Sequence, residues 1–120
     1  MAEVPVWAIP RLTTGTVATP AANTAATVTI AASQAGRRVI RAVVWSYSAT
    51  PTGGRLTITD GGTTILDIDI TVGGPGPVPL EYVAGVNAAV VVTLAAGGGS
   101  VVGKLSVIHY LGTGTRWERS

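Results

Sequence analysis

The chain of 120 residues has no cysteine and no phenylalanine, a single histidine and few charged side chains. The lack of cysteine excludes a disulfide scaffold, a thiol nucleophile and a cysteine-ligated zinc site. Charged residues make up 12% of the chain, about half the share typical of a globular domain. Ala, Val, Thr and Gly fill the difference. A surface this poor in charge is better suited to packing against other subunits than to standing alone in solution.

The positive charge of the chain is small and clustered in one place. Eight basic residues against six acidic ones give a formal net charge of +2, and Arg37, Arg38 and Arg41 form the single cluster. Nucleic-acid binding normally uses a broader basic stripe with aromatic platforms, so we expect no nucleic-acid partner.

The chain shows no signal for export or membrane insertion. Its N-terminus lacks the basic stretch and continuous apolar run of a secretory signal. Its most apolar stretch, residues 88–103, contains a glycine triplet and is too short for a bilayer-spanning helix. We therefore expect a soluble protein, made in the cytoplasm and not bound to a membrane.

From residue 24 onward the sequence is typical of an all-β domain. Short runs rich in Val, Ile and Thr alternate with Gly, Pro or Asn clusters, and no segment has the periodicity of an amphipathic helix. Strands are predicted at 25–31, 38–48, 54–59, 63–71, 77–83, 88–96 and 101–110. The predicted fold is a single antiparallel β-sandwich or jelly-roll-like domain of about seven to eight strands.

Three segments follow from this pattern. Residues 1–23 hold three prolines and no sustained period, which predicts an extended N-terminal arm. Residues 24–110 form the sandwich, and residues 111–120 form a C-terminal tail. Pro77 and Pro79 cannot donate to a strand ladder, so their strand is predicted to lie at a sheet edge.

The stretch 53–71, "GGRLTITDGGTTILDIDIT", holds all three aspartates of the chain. Leu56 must face the core, and a three-residue loop at 60–62 pairs it with Leu66, which leaves Asp67 and Asp69 on the outer face. This register places Arg55 directly opposite Asp67 and gives the last loop glycine a positive φ. A solvated hairpin face is favoured over a calcium site, because the arginine competes with any cation.

Catalytic arrangements lack necessary parts. A paired-carboxylate glycosidase would need a pocket around the two outer aspartates, and a serine nucleophile would need a base and an oxyanion site. His109, the sole histidine, shares the parity of Leu105 and Val107, and is interpreted as a hydrogen-bonded side chain near the end of the core. We expect no enzyme activity, no metal and no cofactor.

The strand "RVIRAVVWSYSA" is largely apolar on both faces, which allows three interpretations. Trp45 and Tyr47 could fill the core while small residues face outward. The second face could be covered by the arm or by a neighbouring subunit. Alternatively Trp45, Tyr47 and Tyr82 could form an exposed sugar-stacking platform. The candidate interface residues are Trp7, Arg38, Arg41, Val43, Trp45, Tyr47 and Trp117.

The segments "VVWSYSATPTGGRLTITDGG", "DIDI" and "VTLAAGGGSVVGKLSVIHY" resemble the small all-β head decoration, or cement-like, proteins of tailed bacteriophages. The similarity covers roughly residues 38–110 and rests on strand and turn texture. It implies a β-sandwich or jelly roll, frequently trimeric, that sits on the capsid exterior and stabilises the shell. No functional residue can be transferred from it.

Two functional hypotheses follow. The first is a structural virion protein that decorates and stabilises a phage head as a homo-oligomer, expected to be a homotrimer, with itself and the major capsid protein as partners. The alternative is a carbohydrate-binding or adhesin-like module of a phage tail or fibre.

Overall fold

The computed structural model describes residues 13–32, 37–85 and 88–112, which form eight β-strands in two antiparallel sheets. The strands are β1 Thr13–Ala18, β2 Ala26–Ile30, β3 Arg37–Tyr47, β4 Gly54–Asp60, β5 Thr63–Ile70, β6 Gly76–Val83, β7 Val90–Leu94 and β8 Gly103–Gly112. The prediction of an all-β, two-layer domain is confirmed. Among the described residues, no helix is long and apolar enough to cross a membrane.

The order of the strands identifies the topology. The first sheet runs β1-β8-β3-β6 and the second runs β2-β7-β4-β5. The strands pair as they would in one long hairpin: β1 with β8, β2 with β7, β3 with β6 and β4 with β5. Folded over, this hairpin shares its strands between two layers. This arrangement is a jelly roll, the second of the two architectures that the sequence predicted.

The core lies between the sheets and is built by strict alternation. Strands β2 and β7 bury every second residue, because successive side chains point to opposite faces. The largest fully buried side chains are Ile40, Leu56, Ile58, Leu94, Leu105, Val39, Val43, Val90, Val92 and Val107. Truncating one of the large ones, such as Leu56→Ala, should cost about 2–5 kcal/mol.

Strand β1 was not predicted, because residues 13–18 fall within the segment expected to be an extended arm. The strand pairs with β8 at the edge of the first sheet. Its inward positions carry Thr14, Thr16 and the small Ala18, whereas Val17 is 64% exposed on the outer face. Since this alternation is the reverse of the usual one, the sequence gives no strand signal.

A β-bulge in β3 decides which face of that strand meets the core. The register shifts between Ile40 and Ala42, so Ile40 joins Val43, Trp45 and Tyr47 in the core. Trp45 is 8% exposed and Tyr47 6%. The interpretation in which these two rings fill the core is therefore confirmed.

Neighbouring glycines make room for the buried rings. A Cβ at Gly76 would overlap the Trp45 indole, and a Cβ at Gly97 would overlap the Tyr47 ring. The Tyr47 hydroxyl donates to the Ala95 carbonyl oxygen at 2.6 Å, and burial raises the pKa of this phenol. Each aromatic ring thus fills the space that a side chain at the neighbouring glycine would otherwise occupy.

Candidate functional site

The β4-β5 hairpin differs from the predicted one in its loop and register. Asp60 pairs with Thr63, so the loop has two residues, Gly61 and Gly62, with φ of 59° and 92°. Positive φ at both positions is typical of a type I′ turn. The predicted three-residue loop is wrong, although the positive φ at Gly62 is confirmed.

A bulge in β5 explains the register. The pairing shifts between Ile58 and Thr59, so that Leu56 lies opposite Ile68 and not opposite Leu66. A two-residue loop without this bulge would place Leu56 opposite Asp67. The extra residue restores the correct alternation, and both Asp67 and Asp69 are exposed on the outer face as predicted.

The predicted ion pair of the hairpin is present, but on a diagonal. Arg55 lies directly opposite Asp69, and Asp67 lies opposite Thr57. Arg55 nevertheless donates to both Asp67 carboxylate oxygens, at 2.7 and 2.5 Å. These hydrogen bonds lower the pKa of Asp67 and raise that of Arg55. Both groups are well exposed, so the pair selects register more than it stabilises the fold.

An open depression lies beside this pair. It is lined by Pro51, Gly53, Gly54, Arg55, Asp69, Ile70 and Thr71. Within the described ranges, no three His, Cys, Asp or Glu side chains come together in a way that could hold a metal ion. Asp67 is paired with Arg55, and Asp69 is the carboxylate that lines the depression.

Asp60 connects the two sheets, a role that the sequence analysis missed. Its Oδ2 accepts from the Tyr82 hydroxyl at 2.5 Å and from the Gly85 N–H at 3.0 Å. The hydrogen bond to Asp60 raises the pKa of Tyr82. Tyr82 therefore links β6 to β4. The inward position of Asp60 could have been predicted from the sequence, because Asp60 continues the alternation of the inward residues Leu56 and Ile58.

His109 lies where the sequence predicted, at the end of the core. It is 6% exposed, and its Nε2 is 2.9 Å from the Thr16 hydroxyl. Its Nδ1 and the nearby Arg38 Nε are buried and have no hydrogen-bond partner among the residues that the structure describes. Burial, and secondarily the Arg38 charge, lowers the pKa of His109. The neutral imidazole is a structural group that holds the edge strand β1.

The outer face of the first sheet is nearly free of charge. Two adjacent cross-strand rows form its centre, Gly15, Ile108, Ala42 and Pro79 in one and Val17, Ser106, Val44 and Pro77 in the other. We call these eight residues the uncharged face. Lys104 borders it at one end, and the pair of Arg41 and Glu81, 3.1 Å apart, borders it at the other. The Arg41 Cζ also lies 6.0 Å from the Tyr110 ring centroid.

The outer face of the second sheet is polar. Its central rows are Thr27, Thr93, Thr57 and Asp67, and Thr29, Val91, Thr59 and Thr64. The hairpin charges lie on this side as well. The two layers therefore present different chemistry to their surroundings.

The predicted interface residues do not form one surface. Val43, Trp45 and Tyr47 point into the core, so the prediction that their side chains reach a partner is corrected. The alternate residues Ala42, Val44 and Ser46 face outward from β3 instead. Arg41 is exposed beside the uncharged face, and Arg38 is half-buried. Trp7 and Trp117 lie outside the described residues.

The predicted sugar-stacking platform is also corrected. Trp45 and Tyr47 are buried, and their ring planes meet at 56° with centroids 6.2 Å apart. Tyr82 is half-buried and hydrogen-bonded through its hydroxyl to Asp60. An exposed, coplanar set of these three rings does not exist.

No protein-family model matches the chain, and no curated protein matches it. Among solved structures, it is similar to the CBM36-1 domain of a multidomain xylanase from the hindgut metagenome of Trinervitermes trinervoides, with a TM-score of 0.46 and 10% identity over 83% of this chain and 98% of that one.

Two further structures show weaker similarity. A carbohydrate-binding module, CBM36, in complex with calcium and xylotriose has a TM-score of 0.39 and 18% identity over 75% of this chain and 76% of that one. A Bacillus endospore appendage protein, described as forming disulfide-linked pili, has a TM-score of 0.38 and 21% identity over 82% and 84%.

Proposed function

We propose that this protein is a structural component of a virion, which binds the outside of a tailed-phage head and stabilises the shell. The observation that carries the proposal is the uncharged face, eight residues from four strands without a charge among them. A flat, small-residue surface of this kind suits burial against another protein, because no charge has to be desolvated.

The shape of the face favours a protein partner over a small ligand. Gly15, Ala42 and Ser106 are too small to form the walls of a pocket, and Pro77 and Pro79 keep one border rigid. Val17 is 64% exposed, which leaves an aliphatic side chain ready for contact. The sequence resemblance suggests the major capsid protein as this partner, with the bound chain as a homo-oligomer on the capsid exterior.

A pair of matched variants tests the proposal. Val44 is half-buried at the centre of the uncharged face, and Val91 is half-buried at the centre of the opposite outer face. We expect Val44→Lys to abolish co-sedimentation with heads assembled from the major capsid protein of the same phage, because it places a charge in the contact. Val91→Lys should bind like the wild type.

Two results would argue against this assignment. Equal binding by both variants would exclude the uncharged face as the contact, and no binding by the wild type would exclude the head as the partner. A glycan array with the wild-type chain then addresses the carbohydrate-binding alternative, for which no platform of Trp45, Tyr47 and Tyr82 is available.

A further inference from the structure

The four edges of the two sheets are protected to different degrees. On one side of the sandwich, β6 carries Pro77 and Pro79, which have no N–H to offer a new strand. Beside it, β5 carries the exposed Asp67 and Asp69 and a bulge. Proline, charge and bulges are the devices by which proteins prevent edge-to-edge pairing.

The opposite side of the sandwich has none of these devices among its described residues. Its edges are β1 in the first sheet and β2 in the second, and the two strands contact each other across the layers. Within the described ranges, each pairs with one neighbour, β1 with β8 and β2 with β7. Neither strand contains a proline or a charged residue, and the register of each with its neighbour is continuous.

The sequence supports the same distinction. Between Arg11 and Arg37 the chain has no charged residue at all, and this segment supplies β1, β2 and the loop that connects them. The described charged residues belong to β3, β4, β5, β6 and β8. The two edge strands on this side of the sandwich are thus uncharged, as is the described part of the loop between them.

We propose that β1 and β2 together form a self-association edge, which pairs with the same two strands of a second copy of this chain. A two-fold axis perpendicular to the sheets would place β1 against β1 and β2 against β2, both antiparallel. One symmetry operation would satisfy both open edges and extend each sheet from four strands to eight. A second copy is the occupant that the charges favour, because its edge is equally uncharged and brings no like-charge repulsion.

This inference goes beyond head binding and does not depend on it. The edge lies beside the uncharged face and would leave most of that face open in a dimer. It also commits to an even number of subunits, in place of the homotrimer that the phage resemblance implies.

Two threonines provide a matched test. Thr29 on β2 and Thr64 on β5 are exposed members of the same cross-strand row at opposite edges. In sedimentation velocity of the full chain at about 10–100 µM, we expect the wild type and Thr64→Lys to be dimers. Thr29→Lys should raise the dimer dissociation constant at least about tenfold, since lysines on symmetry-related strands repel each other.

A second measurement guards against misfolding of the variant. In hydrogen–deuterium exchange, β2 amides should exchange faster in Thr29→Lys than in the wild type, while β5 amides keep their rate. A wild type that is monomeric at about 100 µM, a trimer, or equal weakening by both variants would overturn the proposal. If Thr29→Lys is monomeric and still binds heads, the edge and the uncharged face act independently, so that failure of one proposal can be distinguished from failure of the other.

Discussion

At the scale of single residues, the sandwich depends on a few polar groups inside an apolar core. Asp60 and His109 both lie toward the end of the sandwich where Ile40 pairs with Tyr82 and with His109. Among the described residues, Asp60 accepts hydrogen bonds from two donors, whereas His109 has one partner, the Thr16 hydroxyl. Because a buried polar group with few partners tolerates little change, we expect this end of the sandwich to be sensitive to the charge state of His109.

We expect acid to destabilise the fold through His109. Its folded-state pKa lies below the ordinary 6.5, so just below pH 6.5 the unfolded chain binds more protons than the folded one. The contribution to stability is complete above pH 6.5 and is lost as the pH falls through the lower folded-state value. Thermal unfolding is compared at pH 7.5 and pH 5.5, on either side of the ordinary histidine pKa of about 6.5. The decrease in Tm between these two pH values should be larger for the wild type than for His109→Gln.

The comparison has a clear negative outcome. Every other titrating group is present in both proteins, so equal decreases in Tm would mean that His109 titrates alike in the folded and unfolded chains. The burial described for it would then be incorrect.

At the scale of elements, the β4-β5 hairpin depends on its loop. Gly62 has a φ of 92° and nothing within 4 Å of where a Cβ would lie, and Gly99 has the same open space. A positive φ is unfavourable for any residue with a Cβ. Gly62→Ala should therefore cost about 1–2 kcal/mol of unfolding free energy, and Gly99→Ala should cost less.

Chemical denaturation of the two alanine variants measures this difference. A loss at Gly99 equal to that at Gly62 would indicate that Gly62 does not have the positive φ that the type I′ turn requires.

The elements show how far the sequence determines the fold. Val, Ile and Thr periodicity located β2 to β8, and the face of both outer aspartates followed from the cost of burying them. The bulges at Ile40/Ala42 and in β5 could not be predicted, because a bulge changes the alternation without leaving a residue signature. Strand β1 was missed because two of its three inward positions are threonines and its valine faces outward.

At the scale of the whole molecule, the candidate surfaces are defined by what the sheets bring together. The sequence analysis chose aromatic and basic residues for the interface, and three of them belong to the core. The uncharged face instead consists of small residues from four strands that are distant in sequence. No local pattern marks such a surface, since it exists through the pairing of β1, β8, β3 and β6.

The two proposed surfaces assign separate tasks to separate parts of the molecule. The uncharged face would bind the shell, and the self-association edge would join copies of the chain on it. Linked copies bind a repeating surface more tightly than single ones, because the second contact becomes intramolecular. A modest affinity at each site would then be sufficient for a stable decoration.

The thermal stability of the decorated head tests the central claim most directly. DNA release from heads is followed on heating, with no added chain, with the wild type, and with the Val44→Lys and Val91→Lys variants at equal concentration. The wild type and Val91→Lys should raise the release temperature, while Val44→Lys should leave it at the value of bare heads. An unchanged release temperature for heads saturated with the wild-type chain would contradict a stabilising role.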